Sequence, residues 1–349
     1  MTTPSVAQRR LMAAGFRNGA AWGTALETGA GLGALLESDG GLSRTQPYLP
    51  AKEADTPFPV EGDLGPIDPV TFAPEFTMRY DLGGLGVALA KFFGTAGNPN
   101  SQGDLMYQHT FWWDNEIYGN FVTFALEKLS KIFEVPSAKP VTFDLSIADG
   151  FLKGALSFIG NTLIDNSTVN EDTEMSAITY ATRGNRIKFS QGNIYINDQV
   201  DGDVANETPL IISDLAVHYE RPHDSPLKAG SNSIIEPMEN GAPIVTVTLT
   251  FPRMSSINNI YFTTDFIAEV EKKILIDFIG NVPNAALPYR FKMYFPRMRV
   301  IDCKYTWDEV IPASITLQAE KAASDPTGMS YMIPVLVTDN GRTTDYLTA

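Results

Sequence analysis

The feature that most limits what this chain can become is a succession of strand-length apolar runs with little room for helices between them. Runs rich in β-branched and aromatic residues occupy 121–126, 141–147, 186–189, 193–196, 244–251, 274–279 and 289–295, several with strict alternation. Turn-forming pairs bound most of them, among them Gly192-Asn193, Asp201-Gly202, Asn240-Gly241 and Asn340-Gly341. Successive parallel strands would each need a crossover helix, and most of these intervals are too short or too rich in helix breakers to supply one. The expected fold is therefore mainly β: an antiparallel sandwich or barrel carrying one or two short helices.

The better helix begins near Asp81, read as its N-cap, and ends at Gly94, which suits a left-handed C-terminal position. Leu82, Leu85, Leu89 and Phe92 share one face at helical spacing, while Gly83, Gly84 and Gly86 weaken the helix, so docking must stabilise it. A helical turn at 265–273 is expected to feed the strand at 274–279.

A glycine- and proline-rich stretch at 29–70 is about three times the 12 to 15 residues that structureless connections in compact domains usually reach. Interspersed Leu32, Leu35, Leu36, Leu42, Tyr48, Leu49, Phe58 and Ile67, with little charge, set it apart from segments that stay unfolded. Such an arm requires a surface to lie on, and the nearest candidate is another copy of the same chain. Tyr48, Leu49, Phe58 and Ile67 in the arm, with Leu85, Leu89, Phe92 and Phe93 in the helix, are the candidate contacts between subunits.

With 349 residues, 44% of them hydrophobic, the chain can build two ordinary domains or one large β structure. The formal charge is −15, from 26 Lys and Arg against 41 Asp and Glu. That balance opposes tight binding to phosphate backbones, which depends on cationic contacts. Cys303 is the single cysteine, so no intrachain disulfide forms. The start of the sequence has no signal-peptide core, and no run approaches 18 apolar residues; no membrane anchor is expected.

Chemistry-bearing patterns are scarce. His218 and His223, with Asp214 and Asp224 nearby, have the residue types of a metal site but match no established ligand spacing, and read better as solvent-facing loop histidines. The Gly29-Ala-Gly-Leu-Gly sequence lacks the preceding strand of a nucleotide loop. Neither a phosphate-loop motif nor a nucleophile elbow occurs. No catalytic, metal-binding or cofactor-binding residues are assigned, no cofactor is expected, and the chain is not expected to be an enzyme. A carboxylate pair assembled by folding, as in a β-rich hydrolase, would leave no local signature. Trp112, Trp113, Trp307 and Tyr305 could line a sugar site, which motivates a second reading as a virion decoration or carbohydrate-binding β-sandwich module.

The order of segments resembles the major tail tube proteins of long-tailed, siphovirus-like bacteriophages. The likeness rests on Ala-Trp-Gly-Thr-Ala at 21–25, the extended loop, and the Leu-rich helix ending in Phe-Phe-Gly. It continues through the β runs at 141–147, 150–160, 244–251, 274–280 and 289–297, and covers roughly residues 15–305. The length of the arm and the extension after Pro312 depart from the family pattern. The resemblance implies a non-enzymatic building block whose β-sandwich or barrel joins neighbours into rings. The rings stack into a hollow tail tube in the virion, engaging the tape-measure protein and tail-end proteins; DNA passes through the lumen without specific binding. Synthesis would take place in the host cytoplasm. The chain then divides into an N-terminal segment (1–28), the arm (29–70), a β-rich tube core (71–312) and a C-terminal extension (313–349). Phe-Ile-Gly-Asn at 158–161 recurs at 278–281 and suggests two fused copies of the tube fold, although Phe-Pro-Arg-Met at 251–254 and 295–298 repeats at a different interval. Two copies per chain favour a ring of three chains over one of six.

Overall fold

The computed structural model describes residues 13–348 apart from 51–61, 66–67, 97, 116, 129–130, 183, 228–229, 231–232, 256–257, 284–286 and 306–310. It is mainly β, with strand accounting for 46% and helix for 11%. The elements that build the argument are, in order, β1 (Ala14–Asn18), β2 (Tyr48–Pro50), β3 (Gly62–Leu64), β4 (Val70–Phe72), β5 (Glu75–Thr77), α1 (Gly84–Phe93), β6 (Met106–Trp113), β7 (Val122–Lys128), β8 (Lys131–Ala148) and β9 (Phe151–Gly160). They continue with α2 (Asp172–Ala177), β10 (Gly192–Asp198), β11 (Asp214–Glu220), β12 (Ile244–Phe251), β13 (Lys272–Ile279), β14 (Arg290–Tyr305), β15 (Ala313–Ala319) and β16 (Val335–Asn340).

Two long strands organise the sheet. β8 pairs with β7 along its first half, then with β9 on one edge and β11 on the other. β14 pairs with β13 and β16 along its first half and with β15 along its second. Between them, β11, β12 and β15 complete an antiparallel run. Each long strand carries a register shift, between Pro140 and Thr142 in β8 and between Val300 and Asp302 in β14. Such bulges bend a strand and let it serve two sheet directions. The result is one branched sheet whose pairings do not close into a ring among the described residues.

The core follows from alternation. β9 and β12 place every second residue inside, with Leu152, Leu156, Phe158, Val247 and Leu249 buried and their neighbours at least partly exposed. Phe16, Phe72, Phe124 and Phe158 stack together, with ring centroids 4.8–5.5 Å apart. α1 fills the space beside them. All its residues except Lys91 are buried, as befits a helix that is apolar on every face. Gly94 caps its C-terminus at φ 91°, with its N–H bonded to the Ala90 carbonyl, as the sequence predicts. At the other end, Asp81 lies outside the helix and accepts from the Gly83 N–H at 3.1 Å. A side chain at Gly86 would stand 2.3 Å from the ring of buried Tyr346, so close approach explains this glycine.

Several expectations change. The run at 186–189 forms only isolated bridges, Arg186 to Arg79 and Lys188 to Phe151, before a short 3-10 turn. Instead of a helical turn at 265–273, a π-helical turn spans Tyr261–Asp265 and β13 begins at Lys272. Residues assigned to terminal segments belong to the sheet. Ala14 of β1 lies opposite Leu126 of β7, β15 sits between β12 and β14, and β16 lies between β6 and β14. The arm begins later than 29, since Leu32 and Ala34 are buried in the core. The two Phe-Ile-Gly-Asn quartets also occupy hairpins of opposite order: β9 closes a hairpin begun by β8, whereas β13 opens one completed by β14. A collinear duplication would place both on the same arm of the hairpin.

Candidate assembly surfaces

From residue 43 to residue 71 the chain leaves the sheet and returns as a two-stranded antiparallel ribbon. Ser43 bridges Thr71, and the Asp68 N–H bonds to the Thr45 carbonyl at 3.0 Å. The Gly65 N–H bonds to the Pro47 carbonyl at 2.8 Å, and Tyr48, Leu49 and Pro50 of β2 face Leu64, Asp63 and Gly62 of β3. β2 and β3 form a sheet of their own, separate from the main one. Because successive strand residues point to opposite faces, the exposure of every residue from Ser43 to Leu49 means that neither face of this strand is covered. Tyr48, Leu49 and Leu64 are 58%, 53% and 65% exposed. An isolated two-stranded ribbon is marginally stable in water, and an exposed apolar one calls for a covering surface.

The sequence-predicted contact residues therefore separate. Tyr48 and Leu49 stand on the free ribbon, whereas Phe58 and Ile67 lie outside the described residues. Leu85, Leu89, Phe92 and Phe93 are at most 3% exposed and belong to the chain's own core, which corrects their assignment as contact surface. Phe93 packs edge-on against Trp113 and Tyr219 at 5.1 and 5.7 Å. Leu64 was missed by sequence reasoning; its signal was its place as the cross-strand partner of Tyr48, which only the register reveals.

A second surface is the outer face of β8, β11, β12 and β15. Cross-strand rows read Asp144, His218, Thr246, Gln318 and Ser146, Ala216, Thr248, Thr316. Thr248 and Thr316 share a hydrogen bond at 3.0 Å. Small polar side chains make this face smooth, and its carboxylates Asp144, Asp214 and Glu220 make it acidic. On the adjoining β9, Lys153 is ion-paired with Glu37 at 2.6 Å. His218 therefore lies on a strand, not in a loop, with Nδ1 2.6 Å from Asp144 and Nε2 3.4 Å from Glu220. Partial burial opposes protonation of the ring, but the hydrogen bond and charge of Asp144, followed by those of Glu220, outweigh it and raise its pKa.

His223 sits apart, in a buried polar cluster at the end of β11. Its Nδ1 donates to the Arg221 carbonyl at 2.6 Å, and burial, together with Lys139 and Arg221, lowers its pKa to about 4. Arg221 is buried and acts as a strut: it donates to the carbonyls of Phe93 (3.3 Å) and Asp114 (2.8 Å) and lies 4.7 Å from the centre of the Trp113 ring. Beside it, buried Lys139 pairs with Glu236 at 2.7 Å. These contacts tie loops to the sheet. Among the described residues, no group of three or more His, Cys, Asp and Glu is placed to hold a metal ion.

The glycines at 29–33 serve packing. A side chain at Gly31 would stand 2.3 Å from the Phe16 carbonyl, and one at Gly33 2.3 Å from the Tyr180 ring. Trp112 and Trp113 point to opposite faces of β6; Trp113 packs with Phe92 and Phe93, which leaves Trp112 as the exposed one and breaks up the sugar platform suggested by their adjacency. Trp307 lies outside the described residues. No described helix is long and apolar enough to cross a membrane. No protein-family model matches the chain, and no curated protein matches its sequence.

Proposed function

We infer that the chain is a structural subunit that polymerises with copies of itself into the tail tube of a long-tailed bacteriophage. The observation that carries this reading is the free-standing ribbon with its uncovered Tyr48, Leu49 and Leu64, a feature that acquires a physical rationale when another copy covers it. The smooth outer face of β8, β11, β12 and β15 suits the wall of a conduit. Its carboxylates would repel DNA phosphates, and its short side chains offer little to grip, so a genome and a tape-measure protein would slide past. The subunit would be made in the host cytoplasm and incorporated into the virion, where the tube ends on other tail proteins.

Concentrated purified protein is expected to form hollow tubes of uniform diameter in electron micrographs. Protein that stays monomeric at all concentrations and salt conditions would end the reading. Native mass measurement of isolated rings separates three chains from six. Because the Phe-Ile-Gly-Asn quartets lie on hairpins of opposite order, they no longer favour three.

A further inference from the structure

A cleft of about 330 Å³ opens where the first residues of β6 and β14 flank the last residues of β16. Strand pairing decides which side chains meet there. Gln108 lies opposite Asp339, Asp339 opposite Arg290, and Lys292 opposite Asp277 of β13. Cross-strand partners and residues two apart share a face, so these five side chains stand together on one face of the sheet. Four of them line the cleft, and Asp277 backs the two cations. Gln102, from the hairpin strand Asn100–Gly103, closes one side; Met106, Leu287 and Pro288 form an apolar wall.

The ionic contacts here are loose. Arg290 Nη1 lies 3.4 Å from Asp277 Oδ2, and Lys292 Nζ lies 3.5 Å from Asp339 Oδ2, against about 2.7–2.9 Å for a close charged hydrogen bond. Further along the same strand, Arg297 and Arg299 hold Glu271 at 2.5 and 2.8 Å, so looseness is particular to the cleft. Asp277 Oδ1 is buried and accepts no hydrogen bond among the described residues, and burial raises the pKa of this carboxyl despite both cations. The donors of Arg290 and Lys292 therefore remain available. Gln102 Nε2 donates to the Asn100 carbonyl at 3.3 Å, which leaves its Oε1 as an acceptor on an exposed side chain.

Two cations and two carboxylates balance, so the cleft has no net charge to draw an ion of either sign. Five of its eight lining side chains are polar or charged, which disfavours an apolar ligand. Free donors, a free acceptor and an apolar wall match a small ring compound whose groups both donate and accept and whose C–H faces can pack. Hydroxyls have that dual capacity. The volume falls at the lower end of small-molecule sites, which suits a single sugar ring better than a long chain.

We propose that this cleft binds a neutral pyranose unit, with Arg290, Lys292 and Gln102 bonding its hydroxyls and Leu287 and Pro288 packing on its ring. The site is distinct from the tryptophan pair, since Trp112 lies four residues beyond Gln108 on β6, about 14 Å along the strand. It does not depend on polymerisation. A free sugar and a sugar unit of a surface glycan share this chemistry.

Saturation-transfer NMR on the full chain tests the proposal with the methyl glycosides of glucose, galactose, mannose and N-acetylglucosamine, and with glycine and inorganic phosphate as ionic probes. At least one glycoside is expected to receive saturation, and neither ionic probe. Gln102→Ala and Arg290→Gln are each expected to raise the Kd at least fivefold, whereas Trp112→Ala leaves it unchanged. Unfolding midpoints near that of the parent establish that the variants fold, and Gln102→Ala, on an exposed position, suffices if Arg290→Gln does not. At least tenfold tighter binding of a trisaccharide of the preferred sugar would support the proposal with a glycan as the source; equal affinity would support it with a free sugar. Silence from all four glycosides would overturn it, as would saturation of glycine or phosphate in their place. Glycoside binding that Gln102→Ala leaves intact would put the sugar elsewhere and overturn it too.

Discussion

Helix α1 and the β2–β3 ribbon look alike in sequence and end in opposite environments. Both mix large apolar side chains with glycine, and both have the appearance of surfaces awaiting a partner. In the helix the small residues turn inward: Gly84 meets the backbone of Leu32 and Gly33, and Gly86 meets Tyr346, so main chain and core approach to contact. The ribbon has no such covering, and Tyr48, Leu49 and Leu64 remain in solvent. An apolar segment becomes an interface only when the subunit has nothing left to lay over it. Several distant segments supply that covering: β1 and β8 pack along α1, and Tyr346 near the C-terminus meets it at Gly86.

The comparison breaks most severely if substitutions in α1 prove harmless. Phe92→Ala should cost about 3–5 kcal/mol, the usual range for a buried Phe truncated to Ala. Gly86→Val should cost about 3 kcal/mol, since the clash with Tyr346 outweighs the roughly 1 kcal/mol gained by removing a helical glycine. Denaturant unfolding measures both; a change below about 1 kcal/mol in either would show that α1 is not an internal strut. The ribbon should behave in the reverse way. Removing 48–65 and joining Pro47 to Pro66 should alter subunit stability by less than about 0.5 kcal/mol, because Tyr48, Leu49 and Leu64, the large apolar side chains it removes among the described residues, are exposed. It should abolish tube formation in electron micrographs. Normal tubes from this deletion would make the ribbon dispensable and shift assembly to the sheet edges. A smaller effect is expected of Leu64→Ser, a several-fold rise in the critical concentration with no change in unfolding midpoint.

The sequence revealed the strand runs because period-2 alternation records burial on one face directly, as in β9 and β12. It also placed the end of α1, since Gly94 occupies the left-handed conformation its position suggested. The sequence could not distinguish core from contact surface. Leu85 and Leu49 are chemically the same, and only packing by segments distant in the chain, β1, β8 and the C-terminal turn against α1, decides which one is covered. The ribbon was legible as an arm, but its cross-strand register was not, which is why Leu64 escaped notice. The buried cluster around Arg221 was hidden as well: its acceptors, Phe93 and Asp114, are backbone carbonyls that any residue type could provide.

Acid should weaken the α1 side of the molecule before it affects the ribbon. His223 bonds to the carbonyl of Arg221, whose guanidinium in turn holds the carbonyl at the end of α1; His109 packs against Tyr346 at 4.8 Å, and Tyr346 packs against Gly86. Burial lowers the pKa of both histidines, to about 4 for His223. A histidine depressed in the folded state gives its full stability above its ordinary value near 6.5, and that stability is lost as pH falls toward the folded value. For His223 the loss between pH 6.5 and 4 is at most about 3 kcal/mol. His218 acts in the opposite sense: its raised pKa gives stability that is present below 6.5 and lost as pH rises through the folded value. Its side chain is more than a third exposed, so solvent screening keeps its contribution small. His223→Asn, whose amide can still donate to the Arg221 carbonyl, should flatten the loss of stability between pH 6.5 and 4. Denaturant midpoints at pH 7 and pH 4.5 measure the difference. If the variant loses as much stability as the parent on acidification, the acid-sensitive contact lies elsewhere. The residues of β2 and β3 include no histidine, so tubes that dissociate above pH 5 while the subunit remains folded would show that charge at the contact, not the packing around α1, governs the response to acid.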